Sequence, residues 1–290
     1  MTTASAALPS SSGDEDGQRA RPFLKWAGGK SQLLEQYRKL LPRRFERYHE
    51  PFVGGAAVFF SLRASIPTPF EAVLSDFNEE LINCYAVVRD AVDPLIEALR
   101  KHSYDQEHYY AVRELDPADL TRVDRAARTI FLNRAGFNGL YRVNSGGRFN
   151  VPFGRYANPK ICDADNLRAC SAALRDVDLV TRDFGISLEG AEPGDFVYLD
   201  PPYTPLSSTA NFTAYNAGGF GWKEQERLAG LFRDLAARRV KVMLSNSDVP
   251  EIRGLYEGFS IVEVQASRSI NCKAGGRGKV GEVVILSYAR

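Results

Sequence analysis

Seven short runs of apolar and β-branched residues punctuate the chain from Tyr48 onward, at residues 48–53, 73–76, 177–181, 196–200, 240–246, 260–265 and 283–287. Each is short enough for a strand and is bounded by turn or polar residues. Between them lie stretches of helical period, residues 56–64 and 223–238 among them. Strands that alternate with helices require a mostly parallel sheet covered on both faces, so the expected class is a doubly wound α/β fold with seven strands. The last two runs are joined by a glycine-rich stretch instead of a helix and can pair antiparallel. A length of 290 residues allows one such domain carrying an insertion.

The alternation breaks at residues 78–160. Helical patterns at 81–89, 94–102 and 122–132 are followed there by a segment rich in Gly, Asn, aromatics and Arg. Asn138-Gly139 and Gly146-Gly147 are strong turn pairs and predict a hairpin. Met1–Ala20 is Ser/Ala/Gly with an acidic cluster and almost nothing to bury, so a disordered tail is expected there. The expected division is thus a tail at 1–20, a catalytic domain from 21–77 and 161–290, and an inserted subdomain at 78–160.

A net charge of +1 taken alone argues against a nucleic-acid binder, but its distribution says otherwise. Residues 121–160 carry +7 and residues 21–48 carry +6, which leaves the other 222 residues at −12. Such segregation suits a phosphate-binding face; solvated helix faces are the alternative that charge alone leaves open. No run approaches the ~20 apolar residues of a membrane helix, and the amino terminus lacks a secretory pattern. Cys84, Cys162, Cys170 and Cys272 are widely spaced, as are His49, His102 and His108, so reduced thiols, a cytoplasmic setting and no metal site are expected.

Glu50-Pro51-Phe52-Val53-Gly54-Gly55-Ala56 closes one strand and opens a helix. Glycine there admits a ligand close to the backbone, and the helix start offers free N–H groups. Asp76 ends the next strand, where doubly wound folds place a carboxylate on ribose hydroxyls. A full GxGxxG is absent, so a cofactor with one ribose and no pyrophosphate fits better than a dinucleotide. The sharpest signal is Asp200-Pro201-Pro202-Tyr203 after a strand. A carboxylate and a proline carbonyl can accept both hydrogens of an exocyclic amine while the tyrosine ring stacks on the base. Lys25-Trp26-Ala27-Gly28-Gly29-Lys30-Ser31 ends like a phosphate loop but lacks its earlier glycine, so Trp26 and Lys30 read better as one wall of the cofactor pocket, or Trp26 as an anchor on the core.

These segments strongly resemble the Dam-type, D12-class DNA adenine N6-methyltransferases. So do Asn133-Arg134, Asn138-Gly139-Leu140, Phe149–Tyr156, Pro205-Leu206-Ser207, Ala210–Tyr215 and Ser245-Asn246, in the family's order from about Pro22 to Tyr288. The resemblance implies a Rossmann-like methyltransferase sheet and S-adenosylmethionine contacted by Trp26, Lys30, Asp76 and Asp200, with Asp183 and Phe184 near the cofactor adenine. It implies catalysis by Asp200, Pro201 and Tyr203 on an adenine flipped out of duplex DNA. It places target reading in the insertion, at Phe137, Asn138, Leu140, Arg142 and Pro152, together with Lys25, and suggests GATC or a close relative. Arg134, Arg148 and Arg155 read as phosphate contacts or as surface. Ala56 stands where the family commonly has glycine, and Phe137 where it has tyrosine. A monomer acting on double-stranded DNA, with no membrane association and a cognate restriction endonuclease as possible companion, completes the expectation. Amino-methyl transfer to cytosine N4, RNA or a protein amide, and a non-enzymatic DNA-binding module, are the rival readings.

Overall fold

Phe196–Leu199 is buried along its whole length and Lys241–Ser247 along all but its first residue, as strands at the centre of a two-sided sheet must be. In the computed structural model, which describes residues 6–7, 19–203, 220–267 and 279–289, these form β4 and β5 of a seven-stranded sheet. The others are β1 (Arg47–Glu50), β2 (Glu71–Asp76), β3 (Val177–Thr181), β6 (Ser260–Ser267) and β7 (Lys279–Leu286). All seven expected strands are present. Their spatial order is β3-β2-β1-β4-β5-β7-β6, parallel from β3 to β5, with β7 antiparallel to both β5 and β6. The expected antiparallel pair is therefore there, and its second strand inserts beside β5.

Period-two alternation divides the side chains between two layers. Val197, Leu199, Val242, Leu244, Val283 and Ile285 pack with Leu228, Ala229, Phe232 and Leu235 of α9 (Trp222–Ala237). Their neighbours Phe196, Tyr198, Met243, Val284 and Leu286 face the opposite layer. That layer holds α2 (Ala57–Ser65), α3 (Glu79–Asp90), α4 (Val92–Arg100) and α7 (Ala164–Ala173). Each fully buried Phe or Leu contributes about 1.5–3 kcal/mol, so the two layers dominate stability.

Packing runs on without a break past residue 78. Leu81, Tyr85, Leu95 and Leu99, with Ala126, Ala127 and Ile130 of α6 (Arg122–Ala135), share the core under the sheet. A separate cluster of Tyr109 and Val112 from α5 (Gln106–Glu114) with Phe131, Leu132, Ala135, Phe149 and Val151 supports the segment that follows α6. Asn138 and Gly139 both have positive φ, at 55° and 63°, as the expected tight turn requires. Residues 142–150 double back, with Asn144 N–H donating to Arg148 O and Asn150 N–H to Arg142 O around Gly147. Of the expected tail, Ala6–Ala7 pairs antiparallel with Arg44–Phe45; the rest of 1–18 lies outside the described residues, as do Cys272 and the segments 205–207 and 210–215. No described helix is long and apolar enough to cross a membrane.

Candidate active site

From β1 the chain winds to β2 and β3 on one side, then crosses to β4 on the other, so the topological switch lies between β1 and β4. Open sheets bind ligands beyond the carboxyl ends of the strands at such a point. Gly54 follows β1 and Asp200 follows β4, one on each side of that crevice.

The glycine turn is built for close approach. At Gly54 a Cβ would stand 2.9 Å from Trp26 Cδ1, so only glycine admits the indole. Tyr85 Oη donates to Gly54 O at 2.8 Å, Gly54 N–H reaches Asp76 Oδ2 at 3.4 Å, and Asn78 N–H donates to Asp76 Oδ1 at 3.0 Å. Trp26, Gly54 and Asp76 are thus contiguous. Burial pushes the Asp76 carboxyl up to about 6 despite these N–H donors, and Phe77 beside it is 81% exposed. A half-buried carboxylate next to an open aromatic ring suits a ribose and its base. Ala56 is buried in the left-handed region at φ 52°, a backbone that suits the glycine expected there.

The opposite wall is an ion pair. Lys30 is buried, and its Nζ lies 2.8 Å from Asp200 Oδ2 and donates to Gly28 O. Ser245 Oγ donates to Asp200 Oδ1 at 2.9 Å and lies 3.1 Å from Tyr198 Oη, so both carboxylate oxygens are held. Lys30 Nζ also lies 4.7 Å from the centre of the Tyr203 ring, whose hydroxyl donates to Glu282 at 2.9 Å. Gln225 Nε2 donates to Pro202 O at 2.9 Å and Asn246 Nδ2 to Gln225 Oε1 at 3.1 Å. Among the described residues nothing donates to the Pro201 carbonyl. Glu50, buried at the end of β1 and bonded to Tyr48 Oη, is pushed well above the carboxylate range, first by burial and also by the Asp200 charge. Sequence reasoning assigned no role to Ser245, Gln225, Asn246 or Glu282, because each acts through contacts between distant segments.

Asp183 caps α8 (Phe184–Ser187) and pairs with Arg227, while Phe184 is buried against Phe52 with their rings 5.3 Å apart. The residues expected to read DNA gather on a second surface. The Lys25 side chain lies across Gly139, and its Nζ stands 4.6 Å from the Tyr156 ring centre. Phe137 is exposed and its N–H donates to Pro152 O at 2.9 Å; Leu140 ends the same turn. Arg142 is exposed, with Nε on Asn150 Oδ1 at 2.7 Å and Nη2 on Asn150 O at 3.1 Å. The two surfaces meet where Trp26 stacks on Tyr141, ring centres 5.2 Å apart.

Much of the basic excess is committed inside the fold. Arg125 pairs with Glu79 and Glu80, and Arg128 donates to the carbonyls of Val112 and Arg113. Arg134, read as a phosphate contact or as surface, directs Nε and Nη2 onto Phe23 O. Arg142, Arg148 and Arg155 stay exposed around the hairpin.

The family model described as D12 class N6 adenine-specific DNA methyltransferase matches residues 26–270. The chain belongs to this family. It is 43% identical to the type II methyltransferase M1.LlaDCHI of Lactococcus lactis over 92% of this chain and 95% of that protein. It is 46% identical to M.MjaIII of Methanocaldococcus jannaschii over 92% and 99%. With the DNA adenine methylase of Escherichia coli K12 it shares 37% over 93% and 96%. As a D12-class N6-adenine methyltransferase the protein acts on DNA.

Proposed function

We propose that the protein transfers a methyl group from S-adenosylmethionine to N6 of an adenine flipped out of duplex DNA, at GATC or a close relative. The observation that carries this reading is the corner after β4, where the fixed Asp200 carboxylate adjoins a Pro201 carbonyl that no described group engages. Adenine N6 is a poor nucleophile, since its lone pair is conjugated with the ring. Asp200 and the Pro201 carbonyl would accept its two hydrogens and turn that lone pair out of conjugation, an effect of positioning and electrostatics. N6 is hidden inside a duplex, so the base must leave the stack, at a cost of a few kcal/mol. Tyr203, tethered through its hydroxyl, would hold the everted ring.

Trp26, Lys30, Asp76 and Asp200 would hold the cofactor, with Asp76 on the ribose. Once bound, the cofactor supplies an electrophilic methyl on a sulfonium. Lys25, Phe137, Asn138, Leu140, Arg142 and Pro152 would read the target. Arg142 can present its guanidinium to guanine O6/N7, and Phe137 with Asn138 can fill the space left by the flipped base. The type II methyltransferase names of two relatives support a restriction endonuclease companion.

Plasmid treated with the protein and S-adenosylmethionine tests the target. It should become resistant to a nuclease blocked by adenine methylation in GATC and sensitive to one that requires it. Retained sensitivity to the first, alongside methyl incorporation elsewhere, would assign a different sequence.

A further inference from the structure

We infer that Asn133 is a positioning residue for target specificity, the amide that fixes the base-reading side chain of Lys25 against the recognition turn at 137–139. The inference rests on the reading of Lys25 and that turn as DNA-contacting groups. Asn133 is fully buried near the carboxyl end of α6. Its Oδ1 accepts the Lys25 N–H at 2.8 Å, and its Nδ2 donates to Lys25 O at 2.8 Å and to Gly139 O at 2.9 Å. One planar group therefore engages both backbone polar groups of Lys25 and the carbonyl of the turn glycine, with both its hydrogens used.

Asn133 lies 108 residues from Lys25 and six from Gly139, so its one amide joins segments far apart in the chain. The fit between them is tight. A Cβ on Gly139 would stand 2.3 Å from Lys25 Cδ, so the lysine stem runs directly across the glycine. Arg134, the next residue, fixes the same segment two residues earlier through Phe23 O. The side-chain hydrogen bonds of Asn133 run to Lys25 and Gly139, so it acts through Lys25 and the turn.

An aspartate at this position keeps the shape and the acceptor for Lys25 N–H but sets a carboxylate against two carbonyl oxygens, which must move away. The test compares the wild type, N133D, K25A and the double variant on the best duplex and on duplexes each altered at one base pair of the site. It reads kcat/KM for every duplex, cofactor binding by calorimetry and melting temperature. N133D should lose about tenfold of its discrimination at the base pair that K25A relaxes. The double variant should lose no more than K25A alone, because the two share one interaction. Cofactor affinity should stay within about threefold. A merely structural role lowers melting temperature and kcat/KM on all duplexes alike and leaves the ratios at wild-type values; that result overturns the proposal. Should N133D not fold, G139A displaces the same lysine stem from the glycine whose carbonyl Asn133 holds, and unchanged ratios in G139A overturn it equally. If K25A itself leaves every ratio unchanged while the wild type remains selective, the reading of Lys25 falls and this proposal falls with it.

Discussion

The carboxyl of Asp76 is held at about 6 because burial penalises its charge more than the N–H groups of Asn78, Gly54 and Phe77 offset. Its folded value lies above the unfolded one, so the folded state binds more protons between about pH 4 and 6, and stability falls as pH rises through that window. At neutral pH the ionised group therefore costs stability. At ~1.4 kcal/mol per pKa unit the raised value is worth about 3 kcal/mol, so Asp76→Asn should stabilise the ligand-free protein, by less than that because its amide nitrogen must face one of the two N–H donors, while cofactor binding is lost. The affinity of the wild type for the cofactor should also decline as pH falls below about 6, since ribose hydroxyls donate best to the anion. Thermal melts and calorimetry check both. A melting temperature that is unchanged, with binding intact, would mean that Asp76 faces no ribose. The identity of this residue was legible in the sequence from its place after a strand. Its raised pKa was not, because burial by a distant helix and turn is a property of the fold.

At the scale of elements, His102 in the link between α4 and α5 and His108 in α5 form a pair against α6. His102 stacks on Phe131 of α6 at 4.4 Å, and its Nδ1 lies 2.9 Å from His108 Nε2. Burial, and then the His108 charge, push His102 down to about 4. This folded value lies below the unfolded one near 6.5, so stability held above pH 6.5 is lost as pH falls toward 4. His102→Phe keeps the stacking ring and removes the proton. Its melting temperature should therefore fall less steeply than that of the wild type between pH 6.5 and 4, and an identical slope in both would contradict the assignment. Strand positions were legible because two-residue alternation and flanking turns mark them locally. The insertion of β7 between β5 and β6 was not, because side-chain period fixes which face a residue takes and not which strand lies beside it.

Over the whole molecule, the sequence motifs after β1 and β4 come side by side because the order in which strands are added reverses between those parallel neighbours. Asp200-Pro201-Pro202-Tyr203 was readable, since two prolines and a carboxylate at a strand end leave few structural uses. The groups that aim it were not: Ser245, Gln225 and Glu282 come from β5, α9 and β7 and meet it only in the fold. The basic charge misled in part, because Arg125, Arg128 and Arg134 are committed to contacts within the fold and leave the surface to Arg142, Arg148 and Arg155. The central claim is that Asp200 orients an adenine amine. Nucleosides released from duplex DNA after incubation with S-adenosylmethionine and either the wild type or Asp200→Ala, separated by mass, test it most directly. The wild type should yield N6-methyladenine and the variant essentially none while still retaining DNA; N6-methyladenine formed equally by both would contradict the account.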